Sequence, residues 1–155
     1  MAKDFYDNFD YVKFFFKEAD DLLNSSISKL VLEGPKDQLD LTENTQPAIF
    51  LVSYSIFNVL KRETSFEIDA ANYFAGHSLG EYSALACAES LSFSQTIKLL
   101  RKRGYAMQSA VPKGRGGMLA VLGSDIEIIN QILEKNKDNF NCFVANDNSV
   151  GQIVI

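Results

Sequence analysis

Apolar positions recur along this chain first at helical spacing and later at strand spacing. Residues 11–23, YVKFFFKEADDLL, place Val12, Phe15, Phe16, Ala19, Leu22 and Leu23 on one face and predict an amphipathic helix. A loop with EGPKDQLDLTENTQ follows, and Thr45 before Pro47 suits an N-cap and first helical turn. The next run, AIFLVSYSIFNVLKRE, is apolar almost all round and predicts a helix buried on most sides. Residues 72–75 predict a short strand that leads through GHSLG into a helix of small residues. Ser92 and Gln95 stand at capping-box spacing for a helix over residues 93–110. GGMLAVLG predicts a strand, and Ser124 with Glu127 a second capping box that opens a helix to about Lys135. NCFVAN and GQIVI read as two further strands around the turn-prone DNSV, so this last part is β-α-β-β.

The 155 residues correspond to about one domain. Both ends look cut. No strand precedes the first amphipathic helix, although a serine strand in a parallel sheet needs neighbours. The final QIVI stops inside an apolar run, and the expectation is a fragment. A net charge of -5 without a basic, aromatic-interleaved stripe argues against general nucleic-acid binding. The apolar runs are too short and interrupted to span a bilayer, and the N-terminus lacks the build of a signal peptide. A cytoplasmic protein is expected, with Cys87 and Cys142 as buried free thiols.

The chemistry concentrates at GHSLG, a G-x-S-x-G pattern between a predicted strand and a helix. There Gly76 and Gly80 allow a sharp turn that exposes the hydroxyl of Ser78. The backbone N–H of Leu79, at the start of the new helix, can help hold a developing oxyanion. A serine N-cap on a tightly packed helix fits the same residues. His77 is the only histidine, and neighbouring residues leaving a strand point to opposite sides, so it is a poor general base for Ser78. Arg103 is the second departure from pattern. It sits among Leu99, Leu100 and Met107, while Lys98, Arg101 and Lys102 share the opposite face. A guanidinium aimed inward needs an anion, either one of the chain's own acids or the carboxylate of a substrate.

GHSLGEYSALACA, RKRGYAMQSAVPKGRGGMLAVLG, NDNSVGQIVI and TENTQPAIFLVSYSIF resemble, in order and spacing, the malonyl-CoA:acyl carrier protein transacylases of type II fatty acid synthesis. The resemblance implies an α/β fold. A partial α/β-hydrolase-like acyltransferase core would cover residues 1–116, and an incomplete ferredoxin-like subdomain residues 117–155. It implies that Ser78 takes the malonyl group from malonyl-CoA as an ester and passes it to the phosphopantetheine thiol of acyl carrier protein. Arg103 would bind the free carboxylate, the Leu79 N–H would form half the oxyanion hole, and Gln46 and Asn148 would line or support the site. No resident cofactor is implied, since the pantetheine arm belongs to the partner. The family's GQGSQ-like loop and its catalytic histidine have no counterpart here, so the isolated chain is expected to be inactive. Val150 replaces the proline of the family's N-S-P-G-Q turn, which implies a looser turn. Two alternatives stand beside this reading. One is a non-catalytic carrier-protein-binding module using Lys98, Arg101, Lys102, Lys113 and Arg115; the other is a serine esterase of the α/β-hydrolase class.

Overall fold

The computed structural model describes residues 1–111, the side chain of Asp69 excepted, and 114–155, and the chain divides into two units, Met1–Val111 and Pro112–Ile155. The first unit is helical: α1 Lys3–Asn8, α2 Asp10–Leu23, α3 Ile27–Glu33, α4 Lys36–Leu39, α5 Thr42–Glu63, α6 Gly80–Cys87 and α7 Phe93–Ala110. Helix α2 follows its sequence pattern. Val12, Phe16 and Ala19 are buried, with Phe15, Leu22 and Leu23 half-buried beside them, and Asn24 ends the helix in the left-handed conformation. The short α1, α3 and α4 escape the pattern because four to seven residues barely repeat a helical period. Rings of Phe15, Phe50, Tyr54 and Phe93 join α2, α5 and α7 at centroid distances of 5.2–5.7 Å.

Two boundaries move. Helix α5 begins at Thr42, so the predicted loop supplies its first turn, and Thr45 donates its hydroxyl to the Leu39 carbonyl instead of capping the helix. Pro47 sits inside the helix, buried. Tertiary packing overrides the proline signal here. A Cβ built on Gly104 of α7 would lie 2.5 Å from the Glu43 Cα and 2.7 Å from the Thr42 carbonyl oxygen. Backbone therefore meets backbone where α5 starts. Gly104→Ala is expected to lower stability by about 1–3 kcal/mol, through overpacking at a contact that cannot yield; urea unfolding measures it.

On α7 the predicted capping box forms, with Ser92 Oγ accepting from the Gln95 N–H and Gln95 Oε1 from the Ser92 N–H. The buried face runs through Phe93, Thr96, Ile97, Leu100 and Gly104. Leu99 and Met107 lie outside it, 42% and 47% exposed, which corrects the expected apolar surround of Arg103. Arg101 is not a free charge on the wet face either. It donates to Asn44 Oδ1 and Ser25 Oγ and so ties α7 to α5 and to the turn after α2. Lys113 lies outside the described residues.

Residues 72–75 form no strand. A strand exists through ladder bonds to a neighbour, and among the described residues the first unit contains none. The sheet that is present belongs to the second unit and is antiparallel. It comprises β1 Ala120–Leu122, β2 Asn146–Ser149 and β3 Gln152–Val154 in the order β1-β3-β2, with α8, Ile126–Lys135, between β1 and β2. Ser124 does not cap α8; the N-cap is Asp125, in the extended conformation. The third strand also shifts. Residues 141–145 lie outside it except for one bond from the Ala145 N–H to the Val154 carbonyl. Pairing runs back from the turn at Val150 and Gly151 (φ 73°), so the turn and not the apolar run sets the register. The register slips between Asp147 and Ser149, at Asn148. The chain is thus a mixed helix-and-sheet protein.

Candidate active site

Ser78 has a left-handed backbone, φ 56°, which costs a residue with a side chain about 1–2 kcal/mol. The turn that imposes it is tight. A Cβ on Gly76 would lie 2.0 Å from the Gly80 carbonyl oxygen, so only glycine fits there. At Gly80 a Cβ would meet nothing within 4 Å, so close packing explains the first glycine of the motif and not the second. The N–H groups of Gly80, Glu81 and Tyr82 donate to the carbonyls of His77, Ser78 and Leu79, winding the chain directly into α6. Leu79 is the N-cap of α6, and the preceding serine is exposed.

Four of the five sequence-predicted residues come together at the turn, Ser78 and Leu79 within it and Arg103 and Gln46 against it. Arg103 Nη2 donates to Ser78 Oγ at 3.1 Å, and Nη1 donates to Gln46 Oε1. Gln46, 3% exposed, is held in turn by its own amide, which donates to Thr42 Oγ1 at 2.8 Å and to Met107 Sδ at 3.3 Å. The Tyr82 ring centre lies 6.0 Å from the Arg103 guanidinium carbon. Among the described residues no acidic side chain forms an ion pair with Arg103. No ion pair among the described residues therefore accounts for its position: the guanidinium stands between a neutral amide and a serine hydroxyl. Leu79 is next to Ser78 by sequence. Asn148 stands in β2 of the second unit, half-buried. Thr42 and Tyr82 were not foreseen, and Met107 was foreseen only as an apolar neighbour of Arg103 and not as a partner of Gln46, although Thr42 lies four residues from Gln46 along α5, the spacing at which helical side chains meet.

Behind the turn is a cavity of about 550 Å³, lined by Ile49, Phe57, Phe74, Leu79, Ser83 and Cys87 among others. Burial pushes the Cys87 thiol up to about 11 from its usual 9.0. It is therefore neutral at physiological pH, and iodoacetamide at pH 7.5 is expected to label it slowly, faster only near pH 11 or on unfolding; mass spectrometry across pH checks this. The same shift lowers stability between about pH 9 and pH 11, where the unfolded thiol ionises and the folded one does not. Among the described residues no cluster of metal-ligating side chains occurs, and no helix is long and apolar enough to cross a membrane.

Comparison with known proteins identifies a family for the chain. The family model for the acyl transferase domain matches residues 1–155. A malonyl CoA-acyl carrier protein transacylase of Bacillus subtilis (strain 168) is 42% identical over 156 residues, spanning 100% of this chain and 48% of its own length. Among solved structures, the acyl-carrier-protein-S-malonyltransferase of Bartonella henselae superposes with a TM-score of 0.90 at 42% identity, covering 99% of this chain and 49% of that one. A type II polyketide-synthase acyl carrier protein in complex with its malonyl-transacylase matches with a TM-score of 0.88 at 39% identity, again over 99% of this chain and 49% of that one. The chain spans about half the length of these relatives. With a strained serine at a G-x-S-x-G turn and a match along its whole length, the chain belongs to the acyl transferase domain family.

Proposed function

We propose that this chain carries the nucleophile and the acyl-selecting cation of an enzyme that moves a malonyl group from malonyl-CoA to the pantetheine thiol of an acyl carrier protein. One observation carries the reading: Arg103, without an acidic partner among the described residues, donates to the oxygen of Ser78. A malonyl thioester has its carboxylate one methylene from the carbonyl carbon that Ser78 would attack. A cation within hydrogen-bond reach of that nucleophile meets such a carboxylate and would miss one on a much longer acyl chain. An esterase for neutral esters has no use for the charge.

In this scheme the entering carboxylate takes Arg103 Nη2 from Ser78 Oγ. Ser78 Oγ bonds to the thioester carbonyl carbon while a general base takes its proton. The Leu79 N–H, near the positive end of α6, receives the negative charge on the carbonyl oxygen. The carbon–sulfur bond breaks, CoA leaves as a thiol with that proton, and the malonyl ester remains. The carrier's pantetheine thiol reverses these steps. His77 is unsuited to be the base, which we assign to the half of the enzyme that this chain does not span, with the other oxyanion donor. The 155 residues alone are then expected to turn over negligibly. For Asn148, in β2 of the second unit, a supporting role is proposed from the family resemblance alone. The first unit is assigned to an α/β-hydrolase-like core and the second to an incomplete ferredoxin-like subdomain. We place the enzyme in the cytoplasm.

The test is a hybrid in which this chain replaces the stretch of the Bacillus subtilis transacylase that it matches, so that the rest of that enzyme supplies the missing groups. Malonyl transfer with ping-pong kinetics is the expected result. A well-folded hybrid that transfers nothing, or that hydrolyses neutral esters instead, overturns the reading.

A further inference from the structure

The hydrogen bonds around Gln46 have a direction. Arg103 only donates, so the amide oxygen of Gln46 must face it, and the amide nitrogen must then find acceptors on its other side. The two it has are Thr42 Oγ1, at 2.8 Å, and Met107 Sδ, at 3.3 Å. At 3% exposure, Gln46 has little water to replace either of them. Thr42 is itself fixed, because its carbonyl lies in the backbone contact that Gly104 makes possible. The residues are interleaved along both helices: Thr42 and Gln46 on α5 face Arg103, Gly104 and Met107 on α7.

We infer that Thr42, assisted by Met107, is a positioning residue for acyl selection. Its hydroxyl accepts from the Gln46 amide nitrogen and anchors that side chain, whose oxygen, already turned to the donor-only guanidinium, sets where Arg103 presents its free edge. The inference rests on Arg103 being the carboxylate site. Without the hydroxyl the buried amide nitrogen loses its better acceptor and Gln46 its anchor, so the amide oxygen no longer holds the guanidinium at one position. Arg103 then loses its fixed orientation, and the carboxylate its preorganised fork. Thr42 touches neither Ser78 nor substrate in this scheme, so its loss acts on the choice of acyl group and not on the nucleophile.

Two measurements separate this inference from the functional reading beneath it. The first uses the intact 155-residue chain and the nitrogen-15 signals of the Arg103 guanidinium. Wild type is expected to show slowed rotation, with separate Nη signals. Thr42→Val, which keeps the shape and removes the acceptor, merges them, and Thr42→Ser keeps them apart. Met107→Leu, at a half-exposed position, gives an intermediate result. The second measures the ratio of malonyl to acetyl loading in the hybrid enzyme. Thr42→Val is expected to lower that ratio about three- to tenfold, the worth of one hydrogen bond, and Thr42→Ser to restore it. Averaged Nη signals in wild type, or the same signals in Thr42→Val as in wild type, overturn the inference whether or not the hybrid is active. So does a Thr42→Val hybrid that loses both acyl groups equally. A hybrid inert towards malonyl-CoA, with the signals behaving as expected, sinks the carboxylate reading and leaves only the positioning of Arg103 by Thr42.

Discussion

Replacing Ser78 by alanine in the hybrid enzyme is expected to abolish malonyl transfer, by about 10⁴-fold or more, because the reaction loses the atom that forms the covalent ester. The fold is expected to persist, since Ser78 is exposed and, among the described residues, its side chain is hydrogen-bonded to Arg103. A second substitution separates chemistry from strain. Ser78→Gly removes the nucleophile equally but also removes the Cβ that makes a φ of 56° unfavourable. After the entropy that glycine adds to the unfolded chain, a net gain of about 0.5–1 kcal/mol remains. Unfolding curves of the two variants check this. Equal stabilities would mean that the turn stores no strain at Ser78.

Arg103→Ala is the second large effect, expected to lower kcat/KM for malonyl-CoA about 10²–10³-fold, the range of a truncated, partly buried charge pair. Loading from acetyl-CoA, which has no carboxylate, is expected to change little or to rise. Arg103→Lys keeps the charge but not the planar fork, and about a tenfold loss is expected. Steady-state rates with the two thioesters decide the matter. Parallel losses for both acyl groups would assign Arg103 to the architecture of the turn and not to selection.

The turn was legible because its requirements are local. Gly76 must be glycine where backbone meets backbone, and Ser78 must follow at the head of a helix. Arg103 was legible as an unusual charge, though for an incomplete reason: two of its expected apolar neighbours are half exposed. Long periodic helices were readable, α2 and α7 above all, together with the capping box at Ser92. The errors share a cause, in that long-range packing outweighed local signals. Thr45 and Pro47 read as a helix start, but the approach of Gly104 to the Thr42–Glu43 backbone accompanies a start four residues earlier, with Leu41 and not Thr45 at the N-cap. Residues 72–75 have the composition of a strand and no partner to pair with among the described residues of their unit. In the second unit the turn at Gly151 set the register and moved β2 off the apolar run that predicted it. Thr42 and Met107 stayed hidden because their role depends on two helices meeting, which spacing within either one does not reveal.

The central claim is that Ser78 receives the acyl group and that Arg103 selects a carboxylated one. Its most direct test is intact-mass analysis and peptide mapping of the hybrid after brief exposure to malonyl-CoA or acetyl-CoA. One malonyl group per chain, on the peptide containing Ser78, with much less acetyl under the same conditions, is the expected result. An adduct on another residue, or equal loading of the two acyl groups at Ser78, would contradict it.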